Sequence, residues 1–394
     1  VGVAGLGAGA VAVVRAMAAA PYVQLTGACD LRDDALEAFR QRFEGSKTYH
    51  TVEELCDDPN VEVVWISTPN QFHCAHAIAA AERGKHIVIE KPMALSMDEA
   101  ERMAAACEKY GVHLLCGHTA SLMAANQAMR ALVQGGELGR LCAVNVWSYT
   151  DWMFRPRTPQ ELDLRTGGGI VYRQGPHQVD TVRMLGGGKV RSVRAQIGQW
   201  FQGRPIEGYY TAFLEFESGM PATIVHNGYG YFSNFELVPW AKRGSGRSGV
   251  SELRQALRAG QMGAEGETGM KNLYRFGGEK ETAETTGGQV PQSTGFQPDL
   301  GIVVASCELG DVRQAPHGLW VYDDSGQREI PVEGIHDERM AELDEMYQAI
   351  TTGRKVRHDA RWGMATLEVV LAIRQSALEH REIQMTHQWD AYGQ

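Results

Sequence analysis

Over its first ~120 residues the chain alternates short apolar, β-branched runs with alanine-rich stretches, the pattern of successive βαβ units around a parallel sheet. Residues 1–6, 23–29, 61–67, 86–90 and 113–117 read as five strands, and 10–20, 33–43 and 73–84 as intervening helices. Thr51 with Glu54 and Ser96 with Glu99 have the spacing of capping boxes, and each starts a further helix. After Ser121 the texture changes. One helix ending at Gly135-Gly136 leads into longer strand-like runs at 141–149, 190–199, 209–217 and 222–231, spaced as in an antiparallel meander. Residues 242–300 are Gly-rich, Thr-rich and polar, with one helical piece at 251–257, too long for an ordinary connection and therefore a lid or a disordered insertion. Strands resume at 302–307 and 318–322, and amphipathic helices follow at 338–350 and 361–380. The predicted fold is α/β. A doubly wound, parallel Rossmann sheet occupies 1–120, and an α+β domain with a large open antiparallel sheet occupies 121–394.

Composition supports two globular domains: 394 residues, 43% apolar and 22% charged. Lys plus Arg number 38 against 48 Asp plus Glu, a formal charge of −10, which argues against a nucleic-acid binder held by phosphate contacts. A local basic pocket for a small anion is compatible with that balance. No run approaches the ~18 to 20 apolar residues a membrane span needs, so no membrane partner is expected. The chain opens at Val1 inside a strand and without Met, so a short preceding segment is expected to be missing. Seven cysteines without a CxxC pair fit reduced thiols in the cytoplasm. His73 and His76 have no third ligand spaced nearby, so no metal is expected. The open antiparallel sheet needs cover, which predicts a homodimer or homotetramer.

The chemistry starts at Gly5-Leu6-Gly7-Ala8-Gly9-Ala10, a GxGxxG/A turn placed after a strand and at a helix start. Gly5 permits the tight turn, Gly7 lets backbone approach a pyrophosphate, and Ala10 allows close packing, with the helix N-terminus favouring the anion. Asp30, at the end of the second strand, suits the ribose hydroxyls of NAD. Arg32, two residues on, is either a 2′-phosphate partner, which makes NADP possible, or a solvated charge.

Ser67-Thr68-Pro69-Asn70 with His73, Gly84-Lys85-His86, Glu90-Lys91-Pro92, the run Gly136 to Arg140, and Gly167-Gly168-Gly169 leading to Gly175-Pro176-His177-Gln178-Val179-Asp180 resemble the Gfo/Idh/MocA family of NAD(P)-dependent oxidoreductases. The resemblance extends over most of the chain. It implies that the first set of motifs borders the cofactor and that Lys91, joined to Pro92 by a cis peptide, lies beside the nicotinamide and the reacting hydroxyl. It also implies that His177 bonds the substrate hydroxyl and shares in proton transfer. From the residues alone, a lysine at the carboxyl end of a parallel strand faces the crevice, where partial desolvation lowers its pKa. The Gly-rich approach and Asp180 suggest that His177 stands at a helix start.

One position departs from the family. Sugar and inositol members have Asp four residues before the His, and this chain has Arg173. A guanidinium cannot accept a proton, and it would repel Lys91 unless an anion lay between them. An anionic substrate resolves the conflict, with Arg155 and Arg157 as either further carboxylate partners or solvent-facing loop charges, and Asp180 also expected at the substrate. The run from Arg173 to Asp180, with Ser306-Cys307-Glu308, Asp311 to Gln314 and Gly318 to Tyr322, looks more specifically like the phthalate cis-4,5-dihydrodiol dehydrogenase branch, which forms 4,5-dihydroxyphthalate. Two alternatives stay open: a sugar or polyol dehydrogenase in which Arg173 binds a sugar acid or pairs with Asp180, and a non-catalytic dinucleotide-binding regulator. Trp147, Trp152 and Trp200 are pocket, core or interface residues. His226 faces either the cleft or an oligomer partner.

Overall fold

A computed structural model describes residues 1–240, 250–281, 298, 301–333 and 338–392. The strands of the first sheet are β1 (Gly2–Ala4), β2 (Gly27–Cys29), β3 (Lys47–Tyr49), β4 (Val63–Ile66), β5 (His86–Glu90) and β6 (Leu114–Gly117). They lie in the order β3-β2-β1-β4-β5-β6, all parallel. Val3, Trp65, Val88 and Leu115 pair in one register row and face one helical layer, whereas Ala4, Val64, Ile66, Ile87 and Ile89 face the other. Burial on both faces explains why these strands read as unbroken apolar runs. The sixth strand, β3, escapes that signal because Lys47-Thr48-Tyr49 is polar and lies at the sheet edge. Both expected capping boxes form or half-form: Thr51 and Glu54 cap reciprocally, and Ser96 Oγ accepts from the Glu99 N–H. The strand order reverses between β1 and β4, which opens a crevice at the carboxyl ends of the strands.

The second sheet contains β7 (Leu141–Tyr149), β8 (Val190–Gly198), β9 (Tyr209–Phe216), β10 (Pro221–Asn227), β11 (Ile302–Cys307), β12 (Gly310–Ala315), β13 (Gly318–Asp323), β14 (Gly326–Pro331) and β15 (Ile383–Gln384). Their order is β14-β13-β12-β11-β7-β10-β9-β8-β15. The meander expectation needs one correction, because β7 and β10 are parallel and the sheet is mixed. The intervening helix Ile170–Gly186 and the β8/β9 hairpin supply the crossover that parallel pairing requires. The inner face, including Val146, Leu214 and Ile224, packs with Val179 and Val182 of that helix and Val370 of helix Ala360–Glu379. Leu214 is fully buried, so Leu214→Ala would cost about 2–5 kcal/mol.

Residues 242–249, 282–297 and 299–300 of the expected insertion lie outside the described residues. Its described part holds helix Val250–Arg258, where one was expected, and a second helix, Ala264–Asn272. Phe276, just beyond, is buried in the core of the first sheet. Helix Glu338–Thr352 also returns to that core, through Leu343, Met346 and Ala349.

Candidate active site

The turn after β1 is shaped by glycine. Gly5 has φ +90°, and a Cβ there would sit 2.9 Å from the Ser67 carbonyl oxygen. Gly7 and Gly9 face open space, with no atom within 4 Å of an added Cβ. Helix Ala10–Ala19 starts at Gly9 without a side-chain cap or an acidic residue in its first turn, so its positive end is available to an anion. Asp30 braces this turn by accepting from the Leu6 N–H at 2.7 Å, and it also accepts from Arg32 Nε at 3.0 Å. Arg32 in turn donates to the Leu6 carbonyl at 2.9 Å. These residues fit NAD, with the open backbone of residues 5–10 for its pyrophosphate and Asp30 for its adenosine ribose.

On the far side of the crevice, the Ser67 N–H bonds the Ala4 carbonyl and carries the TPN turn out from β4. His73 is completely buried and ties that turn to the segment that follows β5, one ring nitrogen meeting the Thr68 carbonyl and the other the Pro92 carbonyl, both at 2.9 Å. It therefore acts on the cofactor side only through the two loops it joins. His76 meets Thr68 Oγ1 at 2.9 Å.

Lys91 follows β5, and its peptide to Pro92 is cis. Its Nζ donates to the Arg173 carbonyl at 3.0 Å. Desolvation, followed by the Arg173 guanidinium, pushes its pKa down to about 8, although Glu90 and Glu161 oppose the shift. Glu90 is held by Arg339 at 2.7 Å, a partner arriving from helix Glu338–Thr352 that sequence reasoning did not find. A guanidinium 249 positions away in the chain leaves no local signature.

The expectation of a helix start at His177 is corrected. The helix begins at Ile170, capped by Gly169 at φ 89°, and His177 lies in its interior beside Pro176. Pro176 has no N–H for the Tyr172 carbonyl, and the next carbonyl along, that of Arg173, is the acceptor for Lys91. His177 is buried, and burial, with Lys91 the foremost cation, holds its pKa well below the usual histidine range. His118, after β6, is another buried histidine, pushed down to about 4 mainly by burial. His226 faces the core side of its strand, stacked on Tyr210 at 5.9 Å, which settles its orientation.

Asp180, expected to bind substrate, is closed inside the protein: it is fully buried, and its Oδ1 accepts from Trp362 Nε1 at 2.5 Å and Thr366 Oγ1 at 3.4 Å. His118 Nδ1 lies 3.8 Å from the same oxygen, so Asp180 braces the histidine side of the site from behind. Arg155 pairs with Asp151 at 2.8 Å. Arg157 turns inward, its guanidinium 3.9 Å above the Trp152 ring and donating to the Trp152 carbonyl and Glu161. The pair with Asp180 does not form at Arg173. Its guanidinium bonds Glu161 at 3.1 Å and the Asn70 Oδ1 at 3.3 Å, joining the TPN turn to the second domain. Glu161 was missed, although Thr158 three residues before it gives a capping pattern that the structure uses: the Thr158 N–H donates to Glu161 at 2.9 Å. Arg157, Arg173 and Lys271 hold its carboxyl far below the usual range despite burial.

Residues 1–118 match an oxidoreductase family with an NAD-binding Rossmann fold, and residues 126–237 match the GFO/IDH/MocA C-terminal domain. A 1-carboxy-3-chloro-3,4-dihydroxycyclohexa-1,5-diene dehydrogenase of Comamonas testosteroni is 31% identical over 381 residues, 95% of this chain and 93% of that protein. A crystal structure described as a dehydrogenase from Bordetella bronchiseptica RB50 is 37% identical, with TM-score 0.87 over 98% of this chain and 99% of that one. An oxidoreductase from Agrobacterium radiobacter, solved with NAD+, L-tartaric acid and magnesium, shares the fold at TM-score 0.72 and 16% identity over 97% of each chain. With both of its domains matched and a full-length dehydrogenase relative at 31% identity, this chain belongs to the Gfo/Idh/MocA family and is an NAD-dependent dehydrogenase.

Proposed function

We propose that the chain oxidises a carboxylated cis-dihydrodiol of a cyclohexadiene, in the specific form phthalate cis-4,5-dihydrodiol, to the corresponding catechol. The observation that carries this reading is a cation, the Arg173 guanidinium, which shares a buried carboxylate with two further cations while the main-chain carbonyl of the same residue receives Lys91. A neutral polyol offers such a site nothing to neutralise, whereas a substrate carboxylate completes it. The Comamonas relative, whose name specifies a carboxylated dihydroxycyclohexadiene, supports the same substrate class.

Bound NAD supplies the acceptor for the carbinol hydrogen and its electron pair. Lys91, with a pKa of about 8, takes the hydroxyl proton as the carbonyl forms, and His177, neutral in its buried setting, assists. The resulting ketone loses its ring C–H proton and gains an O–H, giving the aromatic catechol. Aromatisation drives the oxidation and reduces the demand for the carboxylate that Arg173 replaces.

The test is the rise of reduced-nicotinamide absorbance with phthalate cis-4,5-dihydrodiol, set beside inositol and sugar acids. Turnover of a polyol without turnover of the dihydrodiol overturns the assignment. Seven free thiols support a reducing compartment, the cytoplasm, and the second sheet's outer face supports assembly into a homodimer or homotetramer.

A further inference from the structure

Three cations meet one carboxylate in the wall of the crevice, and one of them comes from the insertion. Glu161, with its side chain 4% exposed, receives Arg157 and Arg173 at Oε1, both at 3.1 Å, and Lys271 Nζ at Oε2. One carboxylate neutralises one of the three. The remaining positive charge lies at the partly exposed edge of the cluster, where an incoming anion can reach it and complete the pairing. Arg157 is 10% exposed and already committed to Trp152, but Arg173 and Lys271 are 28% and 27% exposed and flank the same carboxylate from opposite oxygens.

Packing on both sides fixes the segment that carries Lys271. Before it, Glu267 pairs with Arg204 and accepts from the Arg157 N–H at 2.9 Å. After it, the Phe276 ring packs 5.9 Å from Phe39 in the core of the first sheet, and Arg275 and Glu281 pair with Asp34 and Arg42 at 2.6 Å and 2.8 Å. The segment thus runs from the substrate domain to the helix behind Asp30, and its contacts set the lysine in place independently of Glu161.

We propose that Lys271 is a specificity-determining residue: with Arg173 it binds a carboxylate of the substrate, which makes the inserted helix Ala264–Asn272 part of the substrate site. The proposal rests on the reading of the substrate as a carboxylated diol. It adds a contact from the insertion, ~100 residues beyond the motifs that mark the rest of the site. Arg173 unites the two halves of that site, because its guanidinium bonds the same carboxylate as Lys271 while its carbonyl receives Lys91.

Phthalate serves as a probe that binds without reacting. Its affinity for the NAD+-loaded protein is measured by calorimetry for the native chain, Lys271→Met, Lys271→Gln and Lys271→Arg, with melting temperature and NAD+ affinity alongside. The expected result is a roughly 5- to 20-fold weakening of phthalate in the first two variants, partial recovery in the third, and NAD+ affinity within about twofold throughout. The KM for the carboxylated diol should rise by a similar factor while a neutral cis-diol is unaffected. Unchanged phthalate affinity in a folded Lys271→Met protein overturns the proposal. So does failure of the native chain to bind phthalate, or equal losses toward charged and neutral diols with a fall in melting temperature. Failure of the substrate reading looks different: phthalate would bind in a Lys271-dependent way while the dihydrodiol is not turned over.

Discussion

Lys91 Nζ donates to the main-chain carbonyl of Arg173 at 3.0 Å, so the lysine proposed to take the proton is tied to the backbone of the residue whose side chain departs from the family pattern. Because that bond goes to backbone, shortening the Arg173 side chain leaves it in place. Arg173→Ala is expected to lower kcat/KM for a dicarboxylate diol by roughly 10- to 150-fold, the effect of losing a buried charge-assisted contact. Arg173→Lys should restore only part, since an ammonium lacks the planar fork. The measurement pairs charged and neutral diols with a melting curve. Equal losses toward both, in a destabilised protein, assign Arg173 to the support of Glu161 alone.

Proton transfer to Lys91 needs the free amine, and the amine predominates above its pKa of about 8. The rate of diol oxidation should therefore climb with pH through a midpoint near pH 8 and level off about one unit above it. Arg173 lowers that pKa by repelling the ammonium, so Arg173→Ala should move the midpoint upward. Lys91→Ala should reduce kcat by about 100- to 10,000-fold while NAD+ affinity stays within about twofold. A flat profile across pH 6.5 to 9.5 assigns the proton to another group.

What the sequence revealed of this site was its local part. The glycine turn, Asp30, the TPN turn and Lys91 occupy loops at the ends of apolar strands, where residue type and position together carry meaning. Glu161, Lys271, Arg339 and His118 have no such frame. Their partners lie far away in the chain, as with Arg339 and Glu90, or Lys271 and Glu161, and only the folded chain brings them together. Edge strands were lost for a related reason: β3 and β14 bury little, so Lys47-Thr48-Tyr49 and Gln327-Arg328-Glu329 show no apolar alternation. Asp180 was misplaced because a carboxylate three residues after His177 lies on nearly the same helix face, yet that part of the face meets Trp362 rather than the crevice.

Buried neutral histidines set an acid limit. His118, pushed down to about 4, and His226, to about 3, are both displaced chiefly by burial. Unfolding returns them to their ordinary value, 6.5, so between pH 6.5 and about 4 the unfolded chain binds the extra protons and stability falls as pH falls. His358, raised by Glu345, works in the opposite direction. A melting temperature several degrees lower at pH 5 than at pH 7, recovered in part by His226→Gln, is the expected outcome. A constant melting temperature over that range contradicts it.

Coenzyme choice turns on Asp30 and Arg32. A carboxylate at the ribose repels a 2′-phosphate, and Arg32, which could attract one, is occupied with Asp30 at 3.0 Å and the Leu6 carbonyl at 2.9 Å. Turnover with NAD should exceed that with NADP. Asp30→Ser should narrow the gap by releasing Arg32, whereas Arg32→Ala should leave NAD the better coenzyme. A native preference for NADP would mean that the guanidinium leaves its carboxylate when cofactor binds.

The outer face of the second sheet carries the last expectation. Strand alternation turns Val144 and Val146 of β7, and Ala212 and Leu214 of β9, toward the core, so Trp147 and Phe213 point the other way and are 46% and 47% exposed. On the neighbouring strands Thr223 pairs with Phe213 and Val225 with Trp147, continuing a mainly apolar surface across the sheet. Farther along, Trp320 and Tyr322 of β13 join the same side, with the Arg313 guanidinium 4.3 Å above the Trp320 ring. Exposed aromatic side chains on such a face are unfavourable in water, and a second copy of the chain covers them without new sequence. Light scattering at micromolar concentration should give a dimer or tetramer. Trp147→Lys combined with Phe213→Lys should shift the mass toward the monomer, because desolvating two ammonium groups inside such an interface opposes association. A native chain that scatters as a monomer would leave the aromatic face uncovered and remove the argument for assembly.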